Sequence, residues 1–219
     1  MSVKRDEIAR VIRESGVVAI VRGTSASTLG RLCEALRQGG IRAIEVTFNT
    51  RGAPKMIEEL VDKHAAGLIV GAGTVLDADT ARTAILSGAS FVLAPNLNLE
   101  VIETCHRYDV LPVPGAMTPT EILSAWSAGA EIVKVFPAGS LGPRYFRELR
   151  GPLPQVEMMA VGGVNLDNAA GFIEAGAAAL GVGGELVNRS AVAQEQWDVV
   201  TARAQAFLRV VTEARTRRG

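Results

Sequence analysis

Apolar runs and amphipathic segments alternate along the whole of this 219-residue chain. Several of the runs are apolar on both faces, which is typical of parallel strands that are covered by helices. Eight runs predict strands: Val17–Val21, Ala43–Phe48, Leu68–Gly71, Phe91–Ala94, Val110–Val113, Ile132–Phe136, Met158–Val161 and Ala178–Val182. Segments with helical spacing lie between them at Thr28–Gln38, Pro54–His64, Ala78–Ser87, Leu99–Tyr108, Pro119–Ala128 and Leu166–Ala175.

This alternation predicts one α/β domain over residues 1–219, folded as a (β/α)8 TIM barrel with an additional N-terminal helix and a C-terminal helix. The C-terminal helix is expected from Ala191 to Arg217. Glycines at the ends of helix-like segments, such as Gly88 and Gly129, are natural helix stops before the next strand. A doubly wound open sheet is the alternative interpretation of the same pattern.

Composition narrows the class of protein. Apolar residues make up 48% of the chain but aromatic residues only 5%, so Ala, Val, Leu and Ile must fill the core. The 23 basic residues balance 23 acidic ones, which argues against a nucleic-acid partner. No apolar run approaches the roughly 20 residues of a membrane span. Because Met1 to Arg13 is charged and lacks the apolar core of a signal peptide, a cytoplasmic location is expected.

One lysine stands out among the four in the chain. Lys134 interrupts the apolar run Ile132–Phe136, whereas Lys4, Lys55 and Lys63 lie among other charged residues. Burial disfavours a charged ammonium and lowers the lysine pKa, so that the neutral amine becomes available to attack a ketone and form a Schiff base. The alternative is a lysine that pairs with a carboxylate for structural reasons alone.

Glu45 is the matching feature in the second predicted strand, where it interrupts another apolar run. A buried carboxylate needs a partner, and inward-facing Glu45 and Lys134 can meet near the mouth of a barrel. A carboxyl group with a raised pKa would serve as the proton shuttle of a Schiff-base mechanism. If the two residues only neutralise each other, they form a buried ion pair without catalytic function.

Glycine-rich segments at strand ends suit a small anionic ligand. Gly71-Ala72-Gly73-Thr74 follows the third predicted strand and could hold a carboxylate through amides and a hydroxyl. Gly162-Gly163 and Gly183-Gly184 follow the seventh and eighth strands, where barrels frequently bind phosphate. Arg22 ends the first strand and could bind either anion, although a solvated loop arginine is equally consistent with its position.

Other reaction chemistries lack their residues. His64 and His106 lie in helix-like segments, and no set of His, Asp and Glu at strand ends has the arrangement of a metal site. Cys33 and Cys105 are expected to be buried, reduced thiols. A nucleophilic serine elbow is also absent from the sequence. We therefore expect neither a metal nor a cofactor.

Six segments in order make the chain resemble the 2-keto-3-deoxy-6-phosphogluconate (KDPG) / 4-hydroxy-2-oxoglutarate (KHG) aldolase family. The resemblance extends over roughly residues 8 to 190. The segments are Ile44-Glu45-Val46-Thr47-Phe48, Val70-Gly71-Ala72-Gly73-Thr74-Val75, Ala94-Pro95-Asn96, Pro114-Gly115-Ala116-Met117-Thr118-Pro119-Thr120-Glu121, Val133-Lys134-Val135-Phe136-Pro137 and Val161-Gly162-Gly163-Val164.

The resemblance implies a metal-free, class I aldolase, usually a homotrimer, that cleaves a 2-keto-4-hydroxy acid to pyruvate and an aldehyde. It implies that Lys134 forms the Schiff base and that Glu45 shuttles protons through a water. The substrate contacts that it implies are Thr74 and an arginine on the carboxylate, Pro95 and Phe136 around the pyruvyl group, and Gly162, Gly163, Gly183 and Gly184 at the phosphate.

The chain departs from the best-known family pattern at three positions. Asn49 stands where many relatives have a carboxylate-binding arginine, and Arg22 resembles the arginine that other relatives use instead. Val161 replaces a threonine, as in relatives that act on the galactonate epimer. Gly184 replaces a serine that would contact phosphate. These departures leave the stereochemistry at C4 and the need for a phosphate open.

Two other functions fit the same pattern. A phosphate-binding barrel transferase or isomerase, similar to thiamine-phosphate synthase, would leave Lys134 unexplained. A non-catalytic oligomeric scaffold would leave the combination of Glu45, Thr74 and Lys134 unexplained. The sequence favours the aldolase, with a small keto acid as its partner and no nucleic-acid or membrane partner.

Overall fold

The computed structural model describes residues 5–64 and 67–218. Its strands are β1 (Val17–Val21), β2 (Ala43–Thr47), β3 (Ile69–Gly73), β4 (Phe91–Leu93), β5 (Leu111–Val113), β6 (Gly115–Ala116), β7 (Ile132–Val135), β8 (Glu157–Val161) and β9 (Ala179–Val182). Its helices are α1 (Arg5–Ser15), α2 (Ala26–Gln38), α3 (Ala53–His64), α4 (Ala78–Leu86), α5 (Leu99–Arg107), α6 (Pro119–Ser127), α7 (Ala138–Arg150), α8 (Leu166–Glu174), α9 (Arg189–Ala193) and α10 (Trp197–Arg218).

The strands form one parallel sheet in the order β5-β4-β3-β2-β1-β9-β8-β7-β6. Its two outer strands, β5 and β6, are separated in the chain only by Pro114, so together they are one broken barrel strand. β5 pairs with β4 and β6 pairs with β7, which brings the two edges of the sheet together. This arrangement confirms the predicted (β/α)8 barrel and excludes the doubly wound open sheet.

The alternation of side chains along each strand decides which residues face the barrel interior. Ile132 on β7 and Ala43 on β2 belong to the inner core cluster. Lys134 and Glu45 lie two residues further along the same strands, so they face the same interior, nearer the carboxyl ends. The two charged residues are therefore inside the barrel because of strand periodicity.

Helix α1 closes the amino-terminal end of the barrel. Its residues Ile8, Ala9 and Ile12 belong to the same inner core cluster as Ile132 and Ala43. Apolar side chains thus fill the barrel below Lys134 and Glu45, and the open end is the one formed by the carboxyl ends of the strands. The predicted N-terminal helix is confirmed from Arg5 onward, and residues 1–4 of that prediction lie outside the described residues.

The main differences from the sequence prediction lie in three places. Helix α7 was not predicted, because its Gly142 has a positive φ of 73° and Pro143 follows inside the helix, so the helical pattern is interrupted. The flanking helix expected from Ala191 to Arg217 is two helices, α9 and α10, separated by a turn in which Glu195 has a φ of 53°. Strand β3 continues to Gly73, two residues further than predicted.

None of the helices in the described ranges combines the length and the apolar character that a membrane span requires. Cys33 and Cys105 are both buried free thiols, as predicted. Burial raises the pKa of each of them to about 12, which keeps them protonated and unreactive at neutral pH.

Candidate active site

A cavity of about 450 Å³ opens at the carboxyl ends of the strands. This is the end at which TIM barrels carry their active sites. Its lining comes from the ends of β1, β2, β7, β8 and β9 and from the segments that follow them. The lining residues are Ile20, Arg22, Glu45, Lys134, Phe136, Val161, Gly162, Gly163, Val164, Gly181, Gly183, Gly184, Glu185, Val187 and Arg189.

Lys134 is the buried lysine of this cavity, with 5% of its surface exposed, whereas Lys55 and Lys63 are exposed on α3. Its Nζ lies 5.1 Å from the centre of the Phe136 ring. Burial lowers the pKa of Lys134, and the positive charge of Arg22 lowers it further, while Glu45 acts in the opposite direction. The neutral amine, which is the nucleophilic form, is therefore favoured relative to an exposed lysine.

Glu45 is the buried carboxyl of the same cavity and is 1% exposed. Burial raises the pKa of Glu45, and the positive charges of Lys134 and Arg22 oppose this effect. Its Oε2 accepts no hydrogen bond from any described group. The carboxyl is thus free to exchange a proton with a molecule in the cavity, and its raised pKa brings that exchange closer to neutral pH.

Gly71 and Gly73 lie within β3 and do not form the anion-binding loop that their sequence suggested. A Cβ atom at Gly71 would overlap the ring of Phe91, and a Cβ atom at Gly73 would overlap the carboxyl of Glu45. These glycines therefore provide space for neighbouring side chains inside the barrel. The prediction that this segment follows the strand is wrong for Ala72 and Gly73, whereas the prediction that it contacts a carboxylate stays a prediction.

Thr74 and Pro95 follow β3 and β4, as the sequence predicted, but neither belongs to the cavity lining as far as the chain is described. Thr74 has a φ of 57°, which is uncommon for a residue with a side chain. The backbone of Pro95 packs closely against Gly115 in β6, where a Cβ atom would overlap it. Both residues thus lie just beyond the carboxyl ends of their strands but outside the cavity lining.

The glycines after β8 and β9 do line the cavity. Gly162 and Gly163 have φ values of 87° and 72°, which only glycine adopts readily, so they form a turn that other residues would strain. The amide of Gly139 at the start of α7 donates to the Gly162 carbonyl at 2.7 Å. Gly183 and Gly184 follow β9 beside this turn in the cavity wall.

Arg22 follows β1, as predicted, and is one of the residues that line the cavity. Arg189 is a second lining arginine, which the sequence interpretation missed. It begins α9, two residues before the helix that the sequence predicted from Ala191. Its position soon after the last barrel strand is the signal that could have identified it, because loops at this end carry ligand-binding residues.

Among residues 5–64 and 67–218, no three or more His, Cys, Asp and Glu side chains form a group that could hold a metal ion. His106 lies on α5, next to Gly129, and its Nε2 is buried without a hydrogen-bond partner. The side chain of His64 lies outside the described part of the structure.

Fold and site together define a (β/α)8-barrel protein that holds one buried amine and one buried carboxyl in a single cavity. Residues 8–203 match the family model described as "Aldolase: KDPG and KHG aldolase". The chain therefore belongs to the KDPG and KHG aldolase family, as its sequence resemblance indicated. It is an aldolase, a carbon–carbon lyase of the class I, metal-independent type.

Relatives in this family are named for different substrates. The chain is 32% identical to the 2-dehydro-3-deoxy-6-phosphogalactonate aldolase of Escherichia coli, over 90% of this chain and 95% of the relative. It is 36% identical to the 2-dehydro-3-deoxy-phosphogluconate aldolase of Treponema pallidum, over 91% of this chain and 94% of the relative. A solved KDPG aldolase from Legionella pneumophila, with pyruvate captured as a covalent carbinolamine, has a TM-score of 0.82 and 27% identity over 90% of this chain and 96% of that one.

Proposed function

We propose that this aldolase cleaves a 2-keto-3-deoxy sugar acid, phosphorylated at the far end, to pyruvate and an aldehyde through a Schiff base on Lys134. The observation that carries the proposal is the shared cavity of Lys134 and Glu45. Burial favours the neutral form of both groups, so a nucleophilic amine and a proton-carrying carboxyl face the same space. This combination meets the needs of Schiff-base chemistry.

In the proposed mechanism the Lys134 amine attacks the C2 carbonyl carbon and forms a carbinolamine. The Glu45 carboxyl gives its proton, through a water, to the carbinolamine hydroxyl, and loss of water leaves an iminium ion and the Glu45 carboxylate. Glu45, as carboxylate, then takes the proton of the C4 hydroxyl, through a water, while the C3–C4 bond breaks and the aldehyde leaves. The bonding electrons move into the iminium group and give an enamine, which is protonated at C3. Hydrolysis then releases pyruvate and restores the lysine.

The proposed substrate contacts follow the two anionic ends of the molecule. Arg22 lies close enough to influence the pKa of both Lys134 and Glu45, so it would hold the carboxylate next to the reacting carbonyl, together with Thr74. Phe136 and Pro95 would pack around the pyruvyl group.

The amides of Gly162, Gly163, Gly183 and Gly184 would receive the phosphate at the other end. Arg189 supplies a positive charge to the same cavity. Anions bind readily to backbone amides near helix starts, so the loss of a serine at position 184 is compatible with a phosphate site.

Val161 supports relaxed discrimination between the C4 epimers. It is buried in β8 and lines the cavity, where it provides shape but no hydrogen-bonding group. A pocket without such a group discriminates substrates by only about 10–200-fold, whereas hydrogen bonding to a substrate hydroxyl achieves much more. The proposal therefore includes both the gluconate- and the galactonate-derived keto acids, as well as 4-hydroxy-2-oxoglutarate at lower efficiency.

We further propose a cytoplasmic homotrimer. Large apolar side chains are exposed on and beside α4, α5 and α6 of the single chain, and a subunit interface would cover them: Leu76, Leu86, Leu99, Leu123 and Trp126. Sedimentation of the purified protein should give about three times the 23.0 kDa chain mass. A monomer would contradict the trimer and leave the catalytic proposal unchanged.

The catalytic proposal is tested by incubating the protein with pyruvate and borohydride. Reduction should fix one pyruvyl-derived mass on Lys134, and Lys134→Arg should abolish both the adduct and turnover, because a guanidinium stays protonated. Lys55→Arg is the matched control and should keep both. Adducts on another lysine, or none, would overturn the assignment and favour the transferase, isomerase or scaffold alternatives.

A further inference from the structure

Thr47 at the end of β2 and Thr50 in the turn after it form hydrogen bonds with the backbone on both sides of Arg22. The amide of Gly23, which follows Arg22, donates to Thr50 Oγ1 at 3.0 Å. The carbonyl of Val21, which precedes Arg22, accepts from Thr47 Oγ1 at 3.4 Å. The two threonine hydroxyl oxygens are 3.2 Å apart. The three contacts form a continuous chain across the start of the β1–α2 loop.

One arrangement of protons satisfies all three contacts. The Val21 carbonyl can only accept, so it takes the proton of the Thr47 hydroxyl. The Gly23 amide can only donate, so its acceptor is the Thr50 oxygen. The proton of Thr50 is then left for the oxygen of Thr47. Each hydroxyl donates once and accepts once, so replacing either threonine breaks the chain at two points.

Burial strengthens the hydrogen bonds of this hydroxyl chain. Thr47 is fully buried and Thr50 is 9% exposed, so water competes weakly for their hydrogen bonds. Gly23 has a φ of 69°, which turns the backbone away from β1 immediately after Arg22. The Arg22 side chain has no ion-pair partner within 4 Å in the described part of the chain, so its placement depends on its backbone. That backbone is tied to β2, the strand that carries Glu45.

We propose that Thr50 and Thr47 are positioning residues, which direct Arg22 into the cavity and thereby set the affinity for the substrate carboxylate. This inference rests on the proposed function, because that function assigns the carboxylate to Arg22. An arginine binds a carboxylate best through two parallel hydrogen bonds, which require a fixed direction of the guanidinium group. A loop that turns freely at Val21 and Gly23 would lose that direction.

A purely structural role for the threonines makes a different prediction. Thr50 also donates its amide to the Thr47 carbonyl at 2.9 Å, so the pair stabilises the turn after β2 in either case. If Thr50 only stabilises the turn, its replacement should change KM by the same factor whether or not Arg22 is present. A positioning role requires that the effect of Thr50 on KM disappears once Arg22 is removed.

The experiment measures KM and kcat for the cleaved keto acid in Thr50→Val, Thr50→Ser and a control, Thr201→Val. Thr50→Val should raise KM by about 2- to 13-fold, the equivalent of losing about 0.5–1.5 kcal/mol, or one net hydrogen bond, from the contact between Arg22 and the substrate carboxylate. The value of kcat should stay within about twofold, because the carboxylate contact is equal in the ground and transition states. Thr50→Ser should restore KM. Thr201→Val, which loses a 2.9 Å hydroxyl bond to Ala35 on the outer helices, should leave KM unchanged.

The decisive step repeats Thr50→Val in an Arg22→Gln background, where it should raise KM no further. An equal rise in KM in both backgrounds, or a fall in kcat at constant KM, would overturn the inference. If Thr50→Val does not fold, Thr50→Ala goes through the same cycle with the same criteria. A wild-type protein that neither traps pyruvate nor cleaves keto acids overturns the proposed function together with this inference. A wild-type protein that turns over while Thr50→Val leaves KM unchanged overturns the inference alone.

Discussion

The carboxyl group of Glu45 occupies the space in which a side chain at position 73 would lie. Strands β2 and β3 are parallel neighbours, and their register pairs Glu45 with Gly71 and Thr47 with Gly73. A Cβ atom on Gly73 would overlap Oε1, Cδ and Cγ of Glu45, so the carboxyl passes directly over the glycine. The direction of the proposed proton shuttle is thus determined by the absence of a side chain on the adjacent strand.

Gly73→Ala should therefore impair catalysis although it replaces none of the proposed catalytic residues. The new methyl group forces the Glu45 carboxyl to move, and a positioned proton-transfer group contributes about 10²–10⁴-fold to a rate. We expect kcat to fall toward the value of Glu45→Gln. Gly151→Ala is the matched control, because a Cβ atom there meets only an ordinary 3.5 Å contact at the end of α7. Near-normal kcat in a folded Gly73→Ala protein would contradict this explanation.

Glu45→Gln should still react with pyruvate but turn over slowly. The amide has nearly the shape of the carboxyl but cannot accept the C4 hydroxyl proton, so kcat should fall by about 10²–10⁴-fold. Borohydride trapping at long incubation should still label Lys134. A Glu45→Gln protein with normal turnover would remove Glu45 from the mechanism.

The reactivity of Lys134 should respond in opposite directions to its two charged neighbours. The carboxylate of Glu45 raises the pKa of Lys134 and the guanidinium of Arg22 lowers it. Glu45→Gln should therefore lower the pKa of Lys134, and Arg22→Gln should raise it. Only the neutral amine of Lys134 reacts with a small amine-modifying reagent. The rate of modification therefore rises as the pH passes through the pKa of Lys134.

This shift is measured from the pH dependence of labelling at Lys134, followed by peptide mass spectrometry. The midpoint should lie at lower pH in Glu45→Gln and at higher pH in Arg22→Gln. Lys55, exposed on α3, provides an internal reference in the same digests. Midpoints that move in the same direction in both variants would show that the charges do not control the amine.

The barrel fold and the positions of Glu45 and Lys134 could be predicted because each depends on a pattern of neighbouring residues in the sequence. A charged residue inside an otherwise apolar strand is conspicuous, and the period of two along β2 and β7 then places Glu45 and Lys134 on the inner face. The start of α6 also has a local signal in the sequence, since Thr118 and Glu121 form a capping box there. None of these inferences needed knowledge of distant contacts.

The errors all concern residues whose role depends on distant neighbours. Gly73 has the composition of a turn, but its function is to leave room for a side chain of another strand. Gly142 and Pro143 interrupt the pattern of α7, because the backbone is not helical at Gly142 and two helical stretches meet there at a kink. Arg189 lies in a polar segment that has no strand periodicity, so only the closed barrel shows that it reaches the cavity. Tertiary packing supplies the information that the local pattern lacks.

Val161→Thr should sharpen discrimination between the C4 epimers. Threonine has nearly the volume of valine and would place a hydroxyl group in the cavity wall, at a residue that is 2% exposed. The wild-type ratio of kcat/KM for gluconate- and galactonate-derived keto acids should stay below about 200-fold, the usual limit of a shape-only pocket. In Val161→Thr the ratio should change by tenfold or more. A larger wild-type preference than this limit would contradict relaxed specificity.

Arg189→Gln should weaken binding of phosphorylated substrates selectively. Hydrogen bonds to a charged group contribute about 1.5–3 kcal/mol, and solvent screening reduces this at an exposed position, so we expect KM to rise by about tenfold. The unphosphorylated keto acid has no group for Arg189 to bind, and its KM should hardly change. Arg31→Gln is the matched control, because Arg31 is also exposed but pairs with Glu195 outside the cavity lining.

Higher ionic strength should raise KM for the phosphorylated substrate more in the wild type than in Arg189→Gln, because salt screens the attraction between Arg189 and the phosphate. Equal KM values for phosphorylated and unphosphorylated substrates in the wild type would show that the glycines after β8 and β9 serve only as turns, and that Arg189 is a solvated residue at the edge of the cavity.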